Sequence, residues 1–225
     1  MKVLVACEES QTVCKAFREK GHEAYSCDVQ ECSGGHPEWH IKNDALQLIN
    51  GNCEFTTVDG IKHVINGKWD LLIAHPPCTY MSNAGACRLY PRKGQLNKER
   101  YQKGIEAKVF FLQFINADCD KIAVENPIPS KVFDLPKYTQ IIQPYEHGHP
   151  VTKKTCLWLK NLPPLKPTEI VEPKGPYVCG NSETWKKQAA NGIVYGKAKS
   201  AKHRSKTFPG IAQAMAEQWG SVSNE

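Results

Sequence analysis

Ten cysteines are present, yet no two stand in a C-x-x-C pair. That absence removes the usual structural zinc site, whose ligands come closely spaced. Nothing points to export, so most of the thiols are expected reduced and packed as small apolar side chains. Long apolar runs are missing too. The longest, such as residues 71–74 and 109–112, fall far short of the roughly 18 residues a membrane span needs. No basic and apolar leader precedes the strand-like Lys2-Val3-Leu4-Val5-Ala6, so a soluble, cytoplasmic protein is expected. Internal repeats and low-complexity tracts are also lacking. Apolar residues at 40% and charged residues at 23% argue against disorder and fibrous repeats. The 225 residues suit one domain, or one domain with a small appendage. A net charge of +6 allows a polyanionic partner without demanding one.

Hydrophobic patterning predicts a buried strand at 2–6, an amphipathic helix at 11–20 closed by Gly21, and short strands at 23–27 and 40–42. Trp69-Asp-Leu-Leu-Ile-Ala74 is the clearest buried strand, stopped by Pro76-Pro77. A helix over 104–117 with an apolar stripe at 105, 109, 112 and 115 follows, then a strand at 121–124. Alternating strands and helices indicate a mostly parallel twisted sheet with helices on both faces, a Rossmann-like α/β fold. Strands are expected at 138–145 and 155–160, and a helix at 209–219. The intended division is a catalytic body of residues 1–162 plus 204–225, with a small basic segment at 163–203. From Lys186 to Lys206 that chain carries seven Lys/Arg and no Asp/Glu.

Ligands of an open parallel sheet bind at the carboxyl ends of its strands. Those ends carry Ala6-Cys7-Glu8-Glu9-Ser10, then Asp28, Asp44, His75-Pro76-Pro77-Cys78 and Glu125-Asn126-Pro127. An acid after the second strand can accept both ribose hydroxyls of a nucleoside cofactor, and one after the third an adenine amine. Asp28 and Asp44 could equally be ordinary turn residues. Two prolines make a stiff exit from the strand and present Cys78 beside the crevice. A thiolate can add to C6 of a pyrimidine, which makes C5 nucleophilic enough to take a methyl group. Glu125, at the end of the neighbouring strand, can hydrogen-bond the ring N3 and its amine.

Pro76-Pro77-Cys78 with Glu125-Asn126 resembles the catalytic pair of the DNA cytosine C5-methyltransferases. The segment from Tyr145 to Thr155 is similar to that family's Gly-x-Pro-Gln-x-Arg-x-Arg motif, and Ser205-Lys206-Thr207-Phe208-Pro209 to its last motif. The resemblance is closest to compact, phage-carried versions, and would place the protein in a host cytoplasm. It implies an S-adenosylmethionine-dependent methyltransferase fold and activity, with methyl transfer to a cytosine flipped from double-stranded DNA. Cys78, Glu125 and Lys153 would be catalytic. Ala6, Cys7, Glu8, Ser10, Asp28, Asp44, His75, Pro76, Thr207 and Phe208 would hold S-adenosylmethionine. No metal is required, since that cofactor carries an activated methyl, and a monomer is expected.

Three departures stand out. The family's first loop is glycine-rich, whereas 6–10 has no glycine, and Ser10 is the expected cap of the helix that follows. Lys153 replaces a forked arginine with a point charge. Only about forty residues remain for target recognition, which predicts a short or degenerate site. Two basic stretches supply the expected DNA surface: Arg88, Arg92 and Lys93 with Ser82 and Asn83, and Lys154, Lys186, Lys187, Lys202 and Arg204. The competing readings are an amino-methyltransferase acting on adenine N6 or cytosine N4, a catalytically weak or silent DNA-binding protein of the same fold, and the same chemistry directed at RNA, a free nucleotide or a different C5 substituent.

Overall fold

Val, Leu and Ile crowd the strand segments without the polar alternation of a half-exposed sheet, the pattern of strands covered on both faces. A computed structural model describes residues 1–177 and 201–221, apart from the side chains of Ala86, Ala201 and Lys202. Nine strands are described: β1 (Lys2–Ala6), β2 (Glu23–Asp28), β3 (His40–Lys42), β4 (Cys53–Thr56), β5 (Lys62–Ile65), β6 (Leu71–Ala74), β7 (Ile122–Pro127), β8 (Gln140–Ile142) and β9 (Thr155–Lys160). The helices are α1 (Thr12–Glu19), α2 (Ala86–Leu89), α3 (Lys98–Ile115), α4 (Ala201–Ser205) and α5 (Pro209–Gly220). The main sheet runs β3-β2-β1-β6-β7-β9-β8. Its first five strands are parallel, and β9 runs antiparallel to both neighbours. This is a Rossmann-like α/β arrangement with a mostly parallel sheet.

Strand alternation splits the core in two. Val3, Val5, Leu71, Ile73 and Ala123 pack with Val13 and Phe17 of α1 and Ile211, Met215 and Trp219 of α5. Leu4, Ala6, Leu72, Ala74, Ile122 and Val124 pack with Phe111 and Phe114 of α3 and with Phe55 and Ile65. Helices therefore cover both faces. Gly21, at φ 80°, follows the α1 C-cap in the left-handed conformation that glycine tolerates.

Several boundaries differ from expectation. Of the stripe expected at 105, 109, 112 and 115, Ile105, Leu112 and Ile115 pack partly buried against the core, but Val109 does not. Val109 is 55% exposed, and Gly104, Phe111 and Phe114 are buried instead. Two phenylalanines bury more area than valine, so they decide the helix's rotation. The antiparallel β4–β5 hairpin was not expected; Asp59-Gly60, with Gly60 at φ 89°, turns it. The strand expected over 138–145 is confined to Gln140–Ile142, where Pro144 begins a 3-10 turn.

The start of the 163–203 segment packs on the body. Leu165 is buried, Trp219 Nε1 donates to the Pro163 carbonyl at 3.0 Å, and Lys166 and Gln218 exchange two 2.8 Å bonds. Thr152 N–H donates to the Gly175 carbonyl, and Tyr177 N–H to that of Thr152. Among the described residues no helix is long and apolar enough to cross a membrane.

Candidate active site

Sheet order reverses direction between β1 and β6, the switch point where the crevice of an open α/β sheet forms. The β1 exit supplies one wall. Cys7 (φ 58°) and Gln11 (φ 57°) both adopt left-handed backbone, at a cost of order 1 kcal/mol or more each for a non-glycine residue. The loop thus takes a glycine-like path without glycine. Gln11 is fixed by exchanging hydrogen bonds with the backbone of His36, at 2.8 and 3.1 Å.

Two expectations about this loop need correction. Ser10 does not cap α1, because Gln11 holds the N-cap position and the Ser10 hydroxyl bonds that of Thr12 at 3.1 Å. Glu8 performs that function: its two carboxylate oxygens accept from Val13 N–H at 2.7 Å and Cys14 N–H at 3.1 Å. Glu8 is buried, and with both oxygens engaged it is withdrawn from the expected cofactor set. A carboxylate suits those unpaired N–H groups better than a hydroxyl because it also meets the positive end of the helix.

Asp28 and Asp44 stand at the ends of β2 and β3. Each spends one oxygen on its own turn, accepting from Gln30 N–H at 2.9 Å and Leu46 N–H at 3.0 Å. Burial raises the Cys7 thiol pKa, and the charges of Asp28, Cys27 and Asp44 raise it further. Both aspartates therefore lie within electrostatic reach of Cys7.

β6 and β7 are adjacent and parallel with Ala74 opposite Val124, so His75, just past the end of β6, stands beside Glu125, which is still paired with β9 within β7. His75 Nδ1 lies 3.1 Å from Glu125 Oε2, and both side chains are about nine-tenths buried (10% and 11% exposed). Thr207 donates its hydroxyl to the same oxygen at 3.2 Å. Burial pushes the Glu125 carboxyl up, but the His75 hydrogen bond and charge, the Lys153 charge and the Thr207 hydroxyl outweigh it and hold the pKa at about 2. Asn126 donates from Nδ2 to the Pro76 carbonyl at 2.8 Å and staples the two strand exits together.

The loop that carries Cys78 is tied to the chain just beyond the same strand. Ser82 N–H bonds the Cys78 carbonyl, Asn83 N–H the Ile128 carbonyl, and Ser130 N–H that of Met81. Ser82 pairs opposite Pro129. These bonds hold the loop after half-buried Cys78 against the chain just beyond β7. Burial raises its thiol pKa and Glu125 adds to the rise, while Lys153, its own backbone N–H and Arg204 offset part of it. Lys153 is thus the cation common to Cys78, Glu125 and His75. Its ammonium lies 5.8 Å from the Phe208 ring centre, and Phe208 packs on His149 and Tyr177.

Of the expected site residues, Cys78, Glu125, Lys153, His75, Pro76 and Thr207 come together, and Ala6, Cys7, Asp28 and Asp44 line the adjoining strand ends. Ser82 is largely buried, at 8% exposure, with its backbone bridged to Pro129. Asn83, Arg88, Arg92, Lys93, Lys154 and Arg204 are exposed. Lys186 and Lys187 lie outside the described residues, and of Lys202 only the backbone, in α4, is described. Two roles were not anticipated: His75, expected at the cofactor, pairs with Glu125, and Thr207 bonds the same carboxylate. The available signal was that His75 and Glu125 each follow directly on an apolar run, residues 71–74 and 122–124, of neighbouring strands. The chain matches no family model and no curated protein.

Proposed function

We propose that this protein is an S-adenosylmethionine-dependent methyltransferase that methylates C5 of a cytosine flipped from double-stranded DNA, through a covalent Cys78 adduct. The observation that carries the reading is that a half-buried thiol and a buried carboxylate, carried by adjacent strand ends beside the switch point, lie within electrostatic reach of each other, with one lysine acting on both. The strand ends suit this cofactor. Asp28 and Asp44 each keep an oxygen outside their local turns, and an acid-rich loop favours a sulfonium cation over a phosphate. Bound there by Asp28, Asp44 and the backbone of 6–10, the cofactor supplies an activated methyl group.

The chain's own residues do the rest. Cys78 must reach the thiolate state, which Lys153 and Arg204 favour and burial opposes. As a carboxylate, Glu125 accepts a hydrogen bond from the cytosine amine and orients the ring with C6 toward sulfur. Lys153 screens the two negative groups from each other. Exposed Arg88, Arg92, Lys93 and Lys154 hold phosphates rather than read bases, in keeping with a short or degenerate target sequence.

The test is transfer of tritiated methyl from S-adenosylmethionine to duplex DNA, with the labelled base identified. Label is expected on cytosine C5. It should vanish in Cys78→Ala and fall about 10²- to 10⁴-fold in Glu125→Gln. Label on an amino nitrogen, or an undiminished rate in either variant, contradicts the proposal; a wild type that binds DNA without labelling it favours the silent DNA-binding reading.

A further inference from the structure

Glu125, held ionised at neutral pH, has no proton to give, yet sulfur addition at C6 requires that N3 gain one. The neighbour placed to supply it is His75. Its Nδ1 faces Glu125 Oε2 at 3.1 Å, and its Nε2 is buried with no hydrogen-bond partner among the described residues. Three charged groups act on the ring: Glu125 from β7, Glu8 from the turn after β1, and Lys153 from the segment before β9. Burial and Lys153 oppose a charge on the imidazole. The hydrogen bond and charge of Glu125, with Glu8, more than compensate, so its pKa lies above the ordinary histidine value.

Both described hydrogen bonds to the carboxylate end on Oε2, which leaves Oε1 for a ligand. The pair His75⁺/Glu125⁻ and its tautomer, neutral His75 with protonated Glu125, differ only by a proton moved along one hydrogen bond. Burial narrows the gap between them because it penalises the two separated charges.

We propose that His75 is the proton store of this site, a positioning residue that acts through Glu125 to protonate the pyrimidine N3 during Cys78 addition. The inference rests on the Cys78/Glu125 reading given above. In the step, the S–C6 bond forms and the C5=C6 pair becomes C4=C5, while the former C4=N3 pair takes a proton at N3. That proton passes first from His75 Nδ1 to Glu125 Oε2, giving neutral His75 and a transient carboxylic acid, and then from that carboxyl group to N3, so Glu125 ends as the carboxylate and His75 as the neutral imidazole. When the ring is restored, N3 returns its proton by the same route.

Two measurements test this. In whole protein without cofactor or DNA, side-chain nitrogen NMR should find His75 mostly imidazolium at pH 6.5, and mostly neutral at that pH in Glu125→Gln. A neutral His75 at pH 6 in the wild type overturns the proposal whatever the activity. Secondly, His75→Asn keeps an N–H donor near the Nδ1 position but holds no titratable proton. Its methyl transfer and its adduct formation on 5-fluorocytosine DNA should both fall about 10²-fold at pH 7, and the alkaline limb of the rate profile should disappear. A near-wild-type rate with that limb intact, beside an active wild type, overturns this proposal alone. No transfer and no adduct by the wild type overturns the site reading together with it.

Discussion

Replacing Glu125 with Gln should change how stability depends on pH, and the sign follows from His75. In the wild type the His75 pKa is raised by its carboxylate partner. The stability this contributes is fully present below the unfolded value of about 6.5, and is lost as pH rises through the folded value. In Glu125→Gln the hydrogen bond persists but the charge is gone, so burial dominates and His75 falls below its unfolded value. The unfolded variant then takes up a proton on acidification that the native variant refuses. Native stability drops by about 1.4 kcal/mol per pH unit below about 6.5. Glu125 itself does not confuse the comparison. Its pKa of about 2 gives a contribution complete above the usual carboxylate range and lost only in strong acid. Between pH 7.5 and 5.5 the variant's loss alone should widen the gap to wild type by about 1.4 kcal/mol, or roughly 3 to 6 °C in melting temperature for a domain of this size, and the wild type's own gain as pH falls toward 6.5 adds to it. Thermal melts at four or five pH values read it. Parallel curves for the two proteins across this window would refute a charged His75–Glu125 pair.

Removing the helix cap with Glu8→Ala should destabilise the fold by about 0.5 to 2 kcal/mol, seen as a lower urea midpoint with an unchanged slope. Gly104→Ala would drive a Cβ into the Phe133 ring. Overpacking of about 1 to 3 kcal/mol should outweigh the helix-propensity gain of about 0.5 to 1 kcal/mol, so a lower melting temperature is expected and a higher one would contradict the packing described. DNA affinity should fall steeply between 50 and 200 mM salt, with a smaller slope after Arg88→Ala plus Arg92→Ala, as phosphate contacts require; a flat dependence would contradict the proposed nucleic-acid surface.

How far the sequence could foretell this arrangement depends on the range of each interaction. The β1 and β6 runs declare themselves because burial on both faces leaves no polar position, and the Pro76-Pro77 and Asn126-Pro127 stops fix where the strands end. Helix α3 was placed and three of its four stripe residues face the core, but apolar residues occur on several of its sides, and only the packing of Phe111 and Phe114 against the sheet reveals which are fully buried. The cap of α1 illustrates the same limit at short range. Ser10 has the favoured residue type, yet the left-handed turns at Cys7 and Gln11 bring Glu8 under the helix instead. The His75–Glu125 pair spans fifty positions and depends on strand register, which side-chain type alone does not specify. Cys78 and Glu125 could be named beforehand because proline punctuation ties each to the end of a strand.

Chemical trapping interrogates the thiol itself. Wild-type protein incubated with S-adenosylmethionine and duplex DNA carrying 5-fluorocytosine should form a protein–DNA complex that survives denaturing electrophoresis, because fluorine at C5 blocks release of the sulfur. Cys78→Ser should form none. A wild type that forms no such complex, or a complex that persists in Cys78→Ser, would contradict covalent catalysis at this site.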